Sequence, residues 1–307
     1  MRRGESGLCA LLAVDKPVGM TSHDVVSHVR RALGERRVGH AGTLDPLASG
    51  LLVVGVGQAT RLMGLLTLDR KGYRASIAWG EERATDDAEG EVVRTAPAPE
   101  WVLDEARATE VVAGLVGECD QVPPAYSAIS VNGKRAYARA RSGEDVELPA
   151  RHVTIHEARL LSVGEREDGT PVWQVDLLVS KGTYVRSIAH DLGRAQGSAA
   201  YLCGLRRLIA GDVTLADAVP LAELEAQGPA ILEDRALDPV RALGLPVREL
   251  GERELGAVRC GRRIAASSDA DRVALVRDGA LYGVWRRQGS WLVSELNLPE
   301  GVRGVRA

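Results

Sequence analysis

No phenylalanine occurs in the 307 residues, and aromatic side chains of any kind amount to 4%. A core must therefore be filled mainly by aliphatic side chains, which dominate the 45% hydrophobic fraction. That fraction is too high for a disordered chain, and the length suggests about two domains. No apolar run approaches the roughly 18–20 residues that span a bilayer. The one near the start, Leu8–Val14, stops at Asp15-Lys16-Pro17 without a small-residue cleavage site, so neither an anchor nor a signal peptide is expected. The four cysteines, Cys9, Cys119, Cys203 and Cys260, are widely spaced with no C-x-x-C. Neither a zinc site nor a disulfide framework is indicated, and a reduced, cytoplasmic protein is expected. G-x-x-x-x-G-K-[ST], H-E-x-x-H and G-x-S-x-G are also missing.

Lysine is scarce. Only Lys16, Lys71, Lys134 and Lys181 stand beside 35 arginines. Net charge is −3, but residues 81–120 hold twelve acids and three arginines, which leaves the remainder at +6. The acids are expected to form a solvated face, and the basic remainder is compatible with an RNA partner.

Val25, Val26, Val29 and Leu33 follow Thr21-Ser22 at helical spacing, which predicts a capped amphipathic helix. Leu51–Val56 reads as a buried strand, and Tyr73–Trp79 and Trp173–Val179 alternate as half-buried strands. Leu103–Val116 and Val185–Leu192 read as helices. The elements mingle without regular βαβ order, which predicts an α+β fold with a bent mixed or antiparallel sheet. Pro and Gly cluster between Gln227 and Pro246, where a boundary is expected, giving domains at 8–240 and 247–307. Past it, Asp278-Gly279 between two apolar runs predicts a type I′ hairpin. The stretch from 241 onward carries +4.

Two segments concentrate chemistry. In Gly39-His40-Ala41-Gly42-Thr43-Leu44-Asp45-Pro46-Leu47-Ala48-Ser49-Gly50, glycines and a proline surround one carboxylate, a rigid loop able to present Asp45 as nucleophile, base or ligand. An Asp-Pro is equally a common turn starter. In Ser180-Lys181-Gly182-Thr183-Tyr184-Val185-Arg186, a strand passes into a helix, and Arg186 falls early on that helix, able to reach a carboxylate. Val53–Thr60 faintly imitates a dinucleotide turn, but Thr60 replaces the third glycine and no βαβ unit follows, so a nucleotide-dependent oxidoreductase is not expected.

These segments, with Asp15–Ser22, Lys71–Arg74, Gln121–Ala128, Gly133–Tyr137 and Leu205–Arg207, resemble in order the motifs of the bacterial tRNA pseudouridine-55 synthases across residues 8–220. All four lysines lie inside them. The chain departs from the family's T-D-T-x-D-x-x-G, with Arg83-Ala84 before Thr85-Asp86-Asp87, and has Ser130 where lysine is common.

The resemblance implies isomerisation of a T-loop uridine of tRNA, with the base flipped from its stack. It makes Asp45 the nucleophile, Arg186 its ionic partner, and Tyr73 the residue that stacks on uracil and moves a proton. His40 would fill the space the uridine leaves, and Leu205 would close the pocket. Tyr184, Lys16, Lys181, Arg206 and Arg207 complete the substrate-binding set, although the Lys16 loop is expected to act more structurally than chemically. Arg30, Arg31, Arg36 and Arg37 join Arg206 and Arg207 as phosphate contacts. Neither cofactor nor metal is implied. Residues 247–307 would form a PUA-like RNA-binding domain, whose composition also fits a stabilising module. A tRNA-binding or tRNA-folding protein without catalysis is the alternative; intact Asp45, Tyr73 and Arg186 favour the enzyme.

Overall fold

The computed structural model describes residues 6–66, 69–124, 126, 130–131, 134–135, 148–267 and 269–306. Residues 125, 127, 128, 133, 136 and 137 of the motifs above lie outside it, as do the side chains of 130–131 and 134–135. Two compact units emerge: residues 1–68 with 210–307, and residues 69–209.

The first unit begins with β1 (Ala10–Lys16), α1 (Ser22–Leu33), β2 (Val38–Ala41) and β3 (Ala48–Val56). Thr21 caps α1 in a reciprocal box with Asp24, and Gly34 ends it in a left-handed turn at φ 62°. β1 and β3 pair antiparallel, Leu12 opposite Val54 and Val14 opposite Leu52. Period-two alternation then divides the apolar run between two cores. Leu12, Val14, Leu52 and Val54 meet the α1 valines, whereas Leu11, Ala13, Leu51 and Val53 face the other way.

The second unit holds β4 (Arg70–Trp79), β5 (Glu81–Arg83), β6 (Val92–Thr95), α2 (Glu105–Ala113), β7 (Gly117–Gln121), β8 (Ser130–Val131), β9 (Lys134–Arg135), β10 (Arg151–Glu165), β11 (Pro171–Ser180), α3 (Val185–Ala195) and β12 (Ala200–Ala210, its last residue counted with the first unit). Strand order in its main sheet is β12-β4-β11-β10-β7, antiparallel from β4 to β7. Two buried indoles join the aliphatic side chains of its core. Trp79 and Trp173 lie 4.6 Å apart between ring centroids, and Trp173 Nε1 donates to Val102 O at 2.7 Å.

The first unit resumes with β13 (Val213–Thr214), β14 (Val219–Pro220), α4 (Leu221–Gln227), α5 (Ile231–Arg235), α6 (Pro239–Leu243), β15 (Val247–Glu249), α7 (Glu252–Arg259), β16 (Ile264–Ala265), β17 (Arg272–Arg277), β18 (Ala280–Gln288) and β19 (Trp291–Arg303). The Asp278-Gly279 hairpin forms as expected, with both residues at positive φ, 50° and 71°. Its sheet runs β15-β17-β18-β19-β1-β3 and is mixed, since β19 meets β1 in parallel, Ala10 opposite Arg303. The α+β class with a mixed sheet is thus found.

Beyond the boundary expected near 240–247, the C-terminal strands contribute to two cores. Val273, Leu275 and Trp285 build a small core of their own. Ala274, Val276, Leu281, Val284, Leu296 and Val302 instead join Leu11, Ala13, Leu51 and Val53. The C-terminal strands complete the N-terminal core, and contacts group residues 1–68 with 210–307.

Candidate active site

Asp45 lies half-buried in the loop between β2 and β3. Gly42 admits the turn at φ 77°, a left-handed value that a side chain resists. The loop is tied down by its backbone. Ala48 N donates to Asp45 O at 3.0 Å. The Ser22 hydroxyl accepts from Leu44 N at 2.8 Å and donates to Leu44 O at 3.1 Å, fixing the loop to the first turn of α1. Gly19 N reaches Pro46 O at 2.8 Å and so docks the loop that follows β1.

That second loop is built around Lys16. Its side chain is fully buried, at 0% exposure, and Nζ donates to Pro17 O at 3.0 Å and Met20 O at 2.5 Å. Lys16, expected in the substrate-binding set, thereby braces this loop from inside. His40 sits half-buried on β2 opposite Val54. Arg31 and Arg36 are exposed, whereas Arg30 Nη2 is engaged with Val38 O and Arg37 Nε with the Thr60 hydroxyl.

In the second unit Tyr73 is buried on β4 opposite Leu177. Arg186, 6% exposed, is the second residue of α3. One amide aligns that helix start: Gln121 Nε2 donates to Tyr184 O at 3.0 Å and Gln121 Oε1 accepts from Tyr184 N at 2.8 Å. Ser187 Oγ adds a bond to Val122 O at 2.9 Å. The Gln121–Pro124 motif therefore works by orienting the segment that carries Arg186.

The described partners of Arg186 are Asp87 Oδ2 at 3.2 Å, Thr85 O at 3.0 Å and Tyr126 O at 3.0 Å. Asp87, 2% exposed, also accepts from the Thr85 hydroxyl at 2.5 Å and from Glu89 N at 3.0 Å. This is a buried, hydrogen-bonded ion pair, strongly directional because the guanidinium is a planar fork. Sequence reasoning counted Asp87 among solvated acids and missed it. Its signal was the turn pattern Thr85-x-Asp87-x-Glu89-Gly90, which can only curl around its own carboxylate. The expectation of a solvated acidic face holds for Glu105 and Glu110 on α2, but Glu82 and Asp87 are buried against arginines.

Next to Asp87, Asp86 has its carboxyl pushed up to about 6, by burial first, with His190 and Arg186 pulling it back. His190 is raised, chiefly by its hydrogen bond to Asp191, with the charges of Asp86 and Glu82 adding to this against burial. Lys71 is lowered by burial and by the charge of Arg207.

Lys181 is exposed, and its Nζ pairs with Asp69 Oδ1 at 2.7 Å. Leu205 and Arg206 are half-buried on β12. Arg207, beside them, is 1% exposed. Adjacent strand residues point to opposite faces, and Arg207, expected as a phosphate contact, is the inward one.

A family model described as TruB family pseudouridylate synthase (N terminal domain) matches residues 30–185. The tRNA pseudouridine synthase B of Arthrobacter sp. (strain FB24) is 48% identical over 92% of this chain and 94% of its own, and that of Thermobifida fusca (strain YX) is 47% identical over 86% and 89%.

The chain belongs to the TruB family.

The family match spans His40, Asp45, Tyr73 and Asp87 and stops one residue before Arg186. Among solved structures, an H/ACA RNP bound to a substrate RNA containing 2′-deoxyuridine contains a chain with the same fold: TM-score 0.66, 21% identity, over 99% of this chain and 90% of that one. A Cbf5-Nop10-Gar1 complex gives TM-score 0.65 at 22% identity, over 96% and 85%. Among the described residues no group of His, Cys, Asp and Glu is arranged to hold a metal ion, and no helix is long and apolar enough to cross a membrane.

Proposed function

We infer that this TruB-family chain binds tRNA and isomerises a uridine to pseudouridine, at position 55 of the T loop, in the cytoplasm. The observation that carries this reading is 48% identity over nearly the full length of a tRNA pseudouridine synthase B, with Asp45 held in a braced loop. The reaction breaks the bond from C1′ to N1 of uracil and reattaches the ring through C5. Atoms and oxidation level are conserved, so the chemistry itself asks for no redox partner.

What it asks for is an ionised carboxylate in fixed geometry, and Asp45 supplies it. The sequence resemblance pairs Arg186 with that charge. Tyr73 stacks on the extruded base and shuttles a proton, and His40 supports the opened T loop. Tyr184, Leu205 and Lys181 border the nucleotide. The exposed Arg31 and Arg36, with Arg206, take phosphates.

Residues 247–307 serve as a PUA-like RNA-binding segment. Support comes from the outward face of β16 and β19. There Trp291 is 39% exposed and carries the Arg263 guanidinium 4.4 Å from its ring centroid. Arg286, opposite Val293, is exposed on the same face. A cation stacked on an indole suits an unpaired base or a phosphate.

The test is direct. Unmodified tRNA is incubated with the protein alone and pseudouridine is mapped. Asp45→Asn keeps the side chain's shape and removes its charge. Isomerisation should fall at least ~1,000-fold with tRNA affinity within about threefold. Near-normal rates from the asparagine variant, with deamidation excluded by mass spectrometry, would overturn the role of Asp45. A wild-type protein that binds tRNA and forms no pseudouridine would leave the binding-only alternative.

A further inference from the structure

The hairpin of β5 and β6 meets α3 at two places. At its tip, the 85–87 turn gives Thr85 O and Asp87 Oδ2 to Arg186. At its base, Glu82 of β5 receives Arg194, in the last turn of α3: Nε to Oε1 at 2.5 Å and Nη2 to Oε2 at 2.7 Å. Arg94 of β6 adds Nη1 to Oε1 at 2.6 Å, and the same Nη1 donates to Ser198 O at 2.9 Å beyond the helix. His190 Nε2 lies 4.0 Å from Glu82 Oε2. Glu82 itself is 4% exposed.

The two attachments are eight residues apart on the helix, about 12 Å at 1.5 Å per residue. The turn is also bonded to β12, Ala88 N to Leu202 O and Leu202 N to Asp86 O at 3.0 Å each, so what an attachment at the tip alone leaves open is a tilt of α3 against the hairpin, which would lengthen the Arg186–Asp87 bond. The Glu82 attachment closes that freedom. Buried carboxylate–arginine pairs contribute little net stability, because desolvation offsets attraction, but they impose strict geometry. Arg194 forks onto both oxygens, which fixes the orientation of Glu82 as well as its distance.

We propose that Glu82 is a positioning residue for the reaction, clamping the β5–β6 hairpin to α3 so that Arg186 and Asp87 stay in register. It acts through Arg186 and does not touch substrate. The proposal rests on the isomerase reading and has one readout independent of it.

Glu82→Gln keeps the side-chain volume and drops the charge. Its single-turnover rate at saturating enzyme should fall roughly tenfold or more, while tRNA affinity changes less than about twofold. Glu82→Asp should recover part of the rate. Combining Glu82→Gln with Arg186→Lys should lose less than the product of the two single effects, since lysine has already given up the fork that Glu82 orients. The Arg186 side-chain N–H signal in a 15N spectrum, assigned by its loss in Arg186→Lys, should shift in Glu82→Gln. Arg194→Lys provides a second route should Glu82→Gln fail to fold, because the Arg194 side chain is 54% exposed. It should slow the rate in the same direction.

A wild-type rate in Glu82→Gln, fully multiplicative losses, or an unmoved Arg186 signal would overturn the proposal. So would a rate loss matched by an equal loss of affinity. If the wild-type protein makes no pseudouridine, the isomerase reading falls, and the Arg186 signal alone decides whether Glu82 positions it.

Discussion

Asp86 occupies an uncomfortable position. It is a non-glycine residue at φ 58°, and burial raises its carboxyl to about 6. An acid raised in the folded state is protonated there while still ionised in the unfolded chain. Stability from this group is therefore present at low pH and lost as pH climbs from about 4 to about 6. His190 works in the same direction: its raised value means stability that is full below the imidazole's ordinary range and fades above it. Asparagine tolerates the left-handed conformation and carries no charge. Asp86→Asn should therefore stabilise the protein at pH 7.5 by about 2 kcal/mol and flatten the acid limb of its stability curve. Thermal melts from pH 4 to 8 would show this; equal slopes for both proteins would refute it. At this scale the sequence was partly legible. Asp45 and Arg186 stood out through their neighbours in the chain. Glu82 did not, because its arginine partners are remote in sequence, and Asp87 was signalled only by its own turn, with Arg186 equally remote.

Among elements, the locally determined ones were readable. The Thr21 cap, the Asp278-Gly279 turn and the alternation in β4 and β11 each depend on a few adjacent residues. β12 shows where that ends. Leu205-Arg206-Arg207 looks like an exposed basic pair, and nothing local says which arginine turns inward. The strand assigns Arg206 to the accessible side and Arg207 to the interior. The two alanine variants should part accordingly. Arg206→Ala should lower the slope of log affinity for tRNA against log salt by about 1 with little effect on stability. Arg207→Ala should leave the slope alone and destabilise by roughly 3 kcal/mol, since it empties the volume of a long, fully buried side chain. Salt titrations by filter binding, paired with melting curves, separate them. A reduced slope for Arg207→Ala would place that side chain at the RNA surface after all.

For the whole molecule, the decisive fact is that strands distant in sequence complete one another's core. Deleting residues 247–307 would not release an independent module. Leu281, Val284, Leu298 and Val302 are fully buried in the cluster that includes Leu11 and Val53. At about 1.5–3 kcal/mol each, these four side chains match the whole stability of an ordinary domain. The truncated protein should aggregate or melt without cooperativity, seen by circular dichroism and size-exclusion chromatography. A monomeric truncation with a sharp melt would restore the boundary expected from the Pro and Gly cluster. RNA binding by this segment is better tested at the exposed Arg263 and Arg286. The Pro and Gly cluster marks where the chain bends easily, and composition does not report which strands share a core.

The pairing of Arg303 with Ala10 also sets an order of events on the ribosome. Residues 69–209 are contiguous and can close as soon as they emerge. The strands that flank Asp45 appear earlier, yet must wait with Leu11 and Leu51 uncovered until β17, β18 and β19 have emerged. Catalytic competence is therefore a late product of translation. A chain stalled before β18 and β19 would carry Asp45 without the strands that complete the core beneath it, and should not act on tRNA.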